Sequence, residues 1–251
     1  MISAKRIARG LRGRFSRQAV RLRAALRSER TRHCAACGAD IVGFFSYGPT
    51  EDWGCPACGS SPRERFVGHI VASGRLRLPA PGSRILHVAP SEKSLVALFE
   101  TASCDYVRAD LFPEAYKDQP VRRLDLCAFP EGEPPYDLIY ASHVLEHIPD
   151  DMQAMREIRA HLAPSGEAWI IVPLHDLPTE ESTPEMTRRE RERRFGQWDH
   201  VRQYGEDVAE RLRAAGFAIE RIAAVDLPDD LRRHEGLVDA DVLWRCRREG
   251  A

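Results

Sequence analysis

Long apolar runs are missing from this chain of 251 residues. No stretch approaches the roughly 20 apolar residues that cross a bilayer. The N-terminus is positively charged but has no apolar segment behind the charge, which excludes a secretory leader as the natural reading. A disulfide framework is missing too. Four of the seven cysteines fall into two C-x-x-C pairs, a metal-binding pattern of reducing compartments. Acid is scarce at one end: residues 1–33 hold eleven Lys and Arg against Glu29 alone. That segment carries about +10 and leaves about −11 for the remainder of a chain whose net charge is −1. Its single aromatic is Phe15, so it offers no stacking platform for nucleic acid. What remains, with 43% hydrophobic residues and a mean hydropathy of −0.41, reads as a soluble, cytoplasmic protein with room for one large domain and a small one.

The basic arm, residues 1–33, has a pattern of its own. Ile7, Leu11, Phe15, Leu22 and Leu26 recur at helical offsets among arginines. Three uses fit: a peripheral helix on the inner membrane face, a helix packed on the protein itself or a partner, or a nucleic-acid arm. Next come Cys34-Ala-Ala-Cys37 and Cys55-Pro-Ala-Cys58. Two such knuckles can turn four thiolates toward one point, which makes residues 34–62 a structural zinc ribbon; redox dithiols and an iron–sulfur cluster are the alternatives. Gly38 and Gly59 follow the second cysteine of each pair, where a tight knuckle calls for positive φ. Cys104, Cys127 and Cys246 read as core packing.

Residues 63–81 form a joining helix and a Pro- and Gly-rich linker. From residue 82 onward strands and helices alternate: strands at 84–89, 105–108, 122–124, 136–141 and 167–172, helices at 91–102 and 150–162, the latter capped by Asp150 or Asp151. Pro164-Ser165-Gly166 reads as a turn. Alternation of this kind predicts an α/β domain, a mostly parallel sheet covered by helices on both faces. The charged stretch 176–202 interrupts it as a lid or a segment with its own helix. A helix at 203–215 and strands at 217–225 and 242–246 finish the sheet as an antiparallel pair.

Ligands of open α/β sheets bind beyond the carboxyl ends of the strands. Those ends read Ala89-Pro90-Ser91-Glu92, Asp110, Asp125 and Ala141-Ser142-His143, and Asp110 stands where a carboxylate would grip a ribose. With Asp137-Leu-Ile-Tyr-Ala-Ser-His-Val-Leu-Glu-His147 and Leu162-Ala-Pro-Ser-Gly-Glu167, these segments resemble the successive motifs of class I S-adenosylmethionine-dependent methyltransferases of the type-11 kind. The resemblance covers about residues 82–250. With the cysteine ribbon and His87-Val-Ala-Pro90, the chain is similar to a bacterial subgroup often found among sugar- and polysaccharide-modifying functions.

The resemblance implies a Rossmann-like fold with a seven-stranded sheet. It implies S-adenosylmethionine held by Ala89, Pro90, Ser91 and Glu92 at the methionine end, Asp110 on both ribose hydroxyls, and Asp125 with Leu126 at the adenine. Ser142 and His143 would lie near the sulfonium. The family's first motif has an acid and glycines where this chain has His87, Ala89, Ser91 and Lys93; Glu92 is the candidate for the lost carboxylate. Methyl transfer to a hydroxyl needs alignment and a proton acceptor, for which His143 and His200 are candidates, with Asp199 beside the latter. Gln197, Trp198, Arg202 and Tyr204 suit a polar, sugar-like acceptor. His147 and His161 read as structural. The leading expectation is a small-molecule O- or N-methyltransferase. An RNA methyltransferase and a non-catalytic binding protein are the alternatives, although strand 4 lacks the Asn/Asp-Pro-Pro-Tyr pattern of base-amino methylation.

Overall fold

The structure, a computed structural model, describes residues 13–22 and 29–250. Residue contacts divide the chain into two compact units. One comprises Met1–Arg77, Ser91–Thr101 and Ala223–Asp241; the other comprises Leu78–Pro90, Ala102–Ile222 and Val242–Ala251.

In the first unit, two short antiparallel hairpins follow one another. β1 (Arg32–Cys34) pairs with β2 (Ala39–Ile41), and β3 (Phe45–Tyr47) with β4 (Thr50–Gly54). Gly38 (φ 69°) and Gly59 (φ 87°) take the left-handed conformation expected after each C-x-x-C pair. Ser61 then opens helix Pro62–Ala72 with a capping box completed by Glu64. The second carboxylate oxygen of Glu64 accepts from the Ser94 hydroxyl at 2.6 Å, at the start of helix Lys93–Glu100. Of the expected basic helix, Ile7, Leu11 and Leu26 lie outside the described residues. Residues 13–22 are helical, and Arg17 and Arg21 both donate to the Pro56 carbonyl of the second knuckle at 3.1–3.2 Å. Val20 is buried there, whereas Phe15 and Leu22 are exposed. This part of the arm therefore packs on the protein's own body.

The centre of this unit is Arg65, whose side chain is fully buried. Its Nε donates to Glu235 O at 2.8 Å, and one terminal nitrogen donates to Trp53 O and Ser60 O at 3.1 and 2.7 Å. The other terminal nitrogen donates to Asp52 O and Gly236 O at 2.9 and 2.6 Å. A guanidinium has five N–H donors, and all five here meet backbone carbonyls. Phe44 stacks beneath the plane, 3.9 Å from centroid to guanidinium carbon. Two of the carbonyls belong to the end of helix Asp229–Glu235, a segment with no period or motif in the sequence to announce it.

The second unit is built on a seven-stranded sheet. Its strands are β5 (Arg84–Val88), β6 (Asp105–Asp110), β7 (Arg122–Arg123), β8 (Tyr136–Ser142) and β9 (Leu162–Ile171), followed late in the chain by β12 (Phe217–Ala223) and β13 (Val242–Arg248). Their order is β12-β13-β9-β8-β5-β6-β7. β5 to β9 run parallel, and β13 is antiparallel to β9, as the alternating sequence predicts. The core is drawn from the apolar positions of these strands, with Ile85, Leu86, Ile139, Tyr140, Trp169 and Leu243 all buried. Helix Asp151–Ala160 is capped by Asp150, whose carboxylate accepts from Gln153 N at 2.9 Å.

Two sequence expectations are corrected. Pro164-Ser165-Gly166 is no separate turn but an irregularity within β9: Tyr136 pairs with Leu162, and Leu138 already with Glu167. Gly166 is needed there, because a Cβ would sit 2.6 Å from Tyr136 O. The helix expected from residue 203 begins at Val208, because Arg202–Gln203 forms β11 against β10 (Glu180–Glu181). The charged insertion between them contains its own helix, Arg188–Phe195, capped by Thr187 and closed by Gly196 in the left-handed region.

Candidate active site

The parallel register sets the strand ends side by side. Val88 pairs with Ala109 on one neighbour and with Ala141 on the other, Asp110 pairs with Arg123, and Leu124 N donates to Asp110 O at 3.0 Å. Asp125, Asp110, Ala89 and Ser142 thus terminate four adjacent strands along one edge, at steps of about 4.8 Å. Asp110 is half-buried, and its carboxylate accepts from Phe112 N and from the Tyr116 hydroxyl, both at 2.7 Å. Burial and this bond push the Tyr116 phenol above its ordinary range, so it stays a donor. Asp125 is exposed and closes a small turn through Cys127 N at 2.8 Å, while Leu126 beside it is buried.

The first turn differs from a glycine-rich one in a specific way. Ala89 stands at φ 51°, the left-handed conformation that a glycine adopts freely, held by its N–H to Ala109 O at 2.9 Å. Gln119 donates to the Pro90 carbonyl at 2.7 Å. His87, where the resemblance leads one to expect an acid, is fully buried; its Nδ1 shares a hydrogen bond with the Tyr106 hydroxyl at 2.7 Å, and its ring meets Tyr140 edge-on. Burial lowers the imidazole pKa from 6.5 to about 3, so this side chain is neutral structure and not a charged contact. Below pH 6.5 the unfolded chain takes up a proton that the folded chain refuses, so stability is lost as pH falls from about 6.5 toward 3. His87→Gln is expected to shrink the loss of unfolding free energy between pH 7 and pH 4.5 by about 2.5 kcal/mol, measured by urea denaturation at both values. Ser91 and Glu92 begin the middle segment of the first unit, where the buried Glu92 carboxylate is held by Arg63 Nε at 2.7 Å.

At the end of β8 the chain turns sharply. His143 has φ 53°, and its N–H bonds Ile171 O at 2.9 Å. Its Nδ1 lies 3.3 Å from Glu146 Oε1, a carboxylate with no exposed surface. The late segment 199–204 is tied to this turn. Val201 N donates to Glu146 O at 2.8 Å, and Arg202 donates to the carbonyls of Leu145, Ile148 and Pro149. Tyr204 OH reaches Asp151 at 2.6 Å, beside Arg211. Arg202 and Tyr204, expected to touch the acceptor, are therefore buried and spend their polar groups on the chain itself. Gln197 and Trp198 are exposed, and Arg188 lies over the Trp198 ring at 4.6 Å. His200 is buried and donates through Nδ1 to Phe195 O at 2.8 Å, leaving Nε2 as its lone-pair face, 2.9 Å from Gln197 Nε2. Burial lowers its pKa and keeps it neutral.

Residues 61–222 match the family described as a methyltransferase domain. The chain belongs to that methyltransferase family. No curated protein matches it in sequence. Among solved structures, a Mesorhizobium loti S-adenosylmethionine-dependent methyltransferase is similar at 17% identity and TM-score 0.51, over 71% of this chain and 97% of that one. A structure of the Haloferax volcanii Trm112 methyltransferase activator in complex with a methyltransferase is similar at 18% identity and TM-score 0.50, over 73% and 89%. The fold is that of the S-adenosylmethionine-dependent enzymes.

This methyltransferase also carries a four-cysteine cluster in its first unit. The sulfurs of Cys34 and Cys58 are 3.8 Å apart and those of Cys37 and Cys55 4.0 Å. Four thiolates at about 2.3 Å from a tetrahedral ion stand roughly 3.8 Å from one another, so the cluster has the dimensions of a metal site. Burial pushes the Cys37 thiol up to about 12. Cys104 and Cys127 are partly buried and Cys246 is fully buried; all three lie apart from this cluster. Sequence reasoning missed Tyr116 and Gln119, whose roles depend on how the chain folds back after β6. It also passed over Glu146 and took His147 as structural; the one available signal was an acid–histidine pair directly after the Ser142-His143 strand end. His161 behaves as expected at its helix end, bonding Glu157 O at 2.9 Å and stacking on Phe129.

Proposed function

We propose that the methyltransferase moves the methyl group of S-adenosylmethionine to a hydroxyl or amine of a small, polar, sugar-containing acceptor. The observation carrying this is the alignment of Asp125, Asp110, Ala89 and Ser142 on adjacent strand ends. In this reading Asp110 takes the ribose hydroxyls and Asp125 with Leu126 the adenine. Ala89 and Pro90 bring the backbone close to the methionine end, with Ser91 and Glu92 continuing that loop. For a hydroxyl acceptor, His143 accepts the proton as the oxygen–methyl bond forms. The sulfur–methyl bond breaks with its electron pair remaining on sulfur, which leaves S-adenosylhomocysteine. Asp199 and His200 flank the acceptor side, and Gln197 and Trp198 present an exposed polar and aromatic face suited to a sugar. The cysteine cluster holds structural zinc, because four thiolates leave no open coordination position. The basic arm docks the enzyme at an anionic membrane face or a partner protein; among the described residues no helix is long and apolar enough to cross a membrane.

Calorimetric titration tests the reading directly. S-adenosylmethionine and S-adenosylhomocysteine are expected to bind one per chain with micromolar affinity. Absence of binding at millimolar cofactor would sink it. Methylation of RNA in place of sugar-containing acceptors would replace the acceptor class.

A further inference from the structure

Glu146 and His147 are left without a role by methyl transfer as described, and they lie against His200 on the acceptor side. We infer that Glu146, His147 and His200 form a binding site for one divalent first-row transition-metal ion, separate from the four-cysteine cluster. Their ligand atoms all lie within 4.8 Å of one another. Two imidazoles and one carboxylate are the donor set of open, three-ligand zinc sites and of two-His-one-carboxylate iron sites; oxygen-preferring Mg2+ and Ca2+ are poorly served by it. Metal–ligand bonds of about 2.1 Å place donors roughly 3–3.5 Å apart, so loading the site needs a contraction of at most about 1.5 Å at its widest pair.

Four features point the same way. The Glu146 carboxylate, 3.3 Å from His143 Nδ1, has no exposed surface, so it offers a cation a charged oxygen donor shielded from water. His200 has its Nδ1 committed to Phe195 O, the outer bond that fixes a ligating imidazole's tautomer, and its Nε2 lone pair, which accepts from the Gln197 amide at 2.9 Å, is the donor that an ion would take in exchange. His147 sits edge-on to His200 at 4.7 Å between centroids. Beside it lies Asp199, with Oδ2 3.6 Å from His147 Nδ1 and a buried Oδ1 that lacks a hydrogen-bond partner. A carboxylate behind a histidine is the usual second layer of a metal centre.

The two stretches that bring these ligands together are also rigidly joined. The Val201–Glu146 backbone bond and the Arg202 bonds to Leu145 and Pro149, at 2.9 and 2.8 Å, clamp the backbone on both sides of Glu146-His147 to the residues after His200. Arg202 and Tyr204 thereby acquire a function as positioning residues. Three protein ligands leave coordination positions open. Resting on the methyl-transfer reading, those positions would take oxygen atoms of the acceptor, since His143 at the β8 end is only three residues from Glu146.

The test uses the full chain with its cysteine cluster first loaded with zinc. Mn2+ is titrated in and the free ion is followed by electron paramagnetic resonance. One Mn2+ per chain is expected at micromolar affinity, with nitrogen modulation from directly bound imidazole in the pulsed spectrum of the unaltered protein. His147→Ala and His200→Ala are expected to weaken binding roughly 100-fold or more while the zinc content stays at one. No Mn2+ uptake, or uptake without nitrogen coupling, would overturn the site, and because the second readout needs no variant, a misfolded His200→Ala cannot obscure it. S-adenosylmethionine binding is measured in parallel. Intact cofactor binding without Mn2+ uptake rejects the metal site alone. Mn2+ uptake without cofactor binding supports the metal site and rejects the acceptor role assigned to it.

Discussion

Replacing Arg65 with methionine is expected to destabilise the first unit by about 4 kcal/mol. Each buried carbonyl that loses its donor costs about 1–3 kcal/mol, and five lose one here, with local water entry recovering part of the total. Methionine fills most of the volume and stacks on Phe44, so the loss reports hydrogen bonds and not a cavity. Trp53 fluorescence under chemical denaturation follows this unit, because the Trp53 carbonyl is one of the five. Arg65→Lys keeps the charge but offers three donors without the planar fork, so it should recover less than half of the loss. A Met variant within 1 kcal/mol of the parent would show that the carbonyls find other partners.

The second large effect is expected on cofactor binding. Asp110→Ala should lower S-adenosylmethionine affinity about 100-fold, since two hydrogen bonds from ribose hydroxyls to a carboxylate are together worth about 3 kcal/mol. Asp110 also holds its own turn through Phe112 N and Tyr116 OH. Tyr116→Phe separates the two roles, because it removes the turn's side-chain bond and leaves the carboxylate. It should cost less than tenfold. If it costs as much as Asp110→Ala by calorimetry, Asp110 is a turn residue and the ribose assignment fails.

These two residues differ in how far the sequence announces them. The place of Asp110 at a strand end is legible because strands alternating with helices run parallel and bring their carboxyl ends to one edge. The Gly38 and Gly59 turns are legible for another local reason, since each follows the second cysteine of a C-x-x-C pair. Arg65 was not, because its partners lie 170 and 171 positions away, in a segment without hydrophobic period. Arg202 and Tyr204 misled for a related reason: a polar residue in a charged insertion reads as surface, and only the three-dimensional return of that insertion to residues 145–151 buries it. Glu146 shows the opposite failure, an acid among histidines whose burial no local pattern records. The β9 irregularity hid behind a sound signal, since Pro-Ser-Gly does bend the chain but within a strand.

The Arg65 carbonyls also impose an order of assembly. The cysteine knuckles and helix Pro62–Ala72 leave the ribosome ahead of the sheet, yet Glu235 and Gly236 emerge after nearly all of it. Until then two of the five donors of Arg65 point at nothing native. Contacts of such sequence separation are slow to close. The region translated early is therefore completed late, and a chain stopped before residue 236 would hold its four cysteines over an unfinished core.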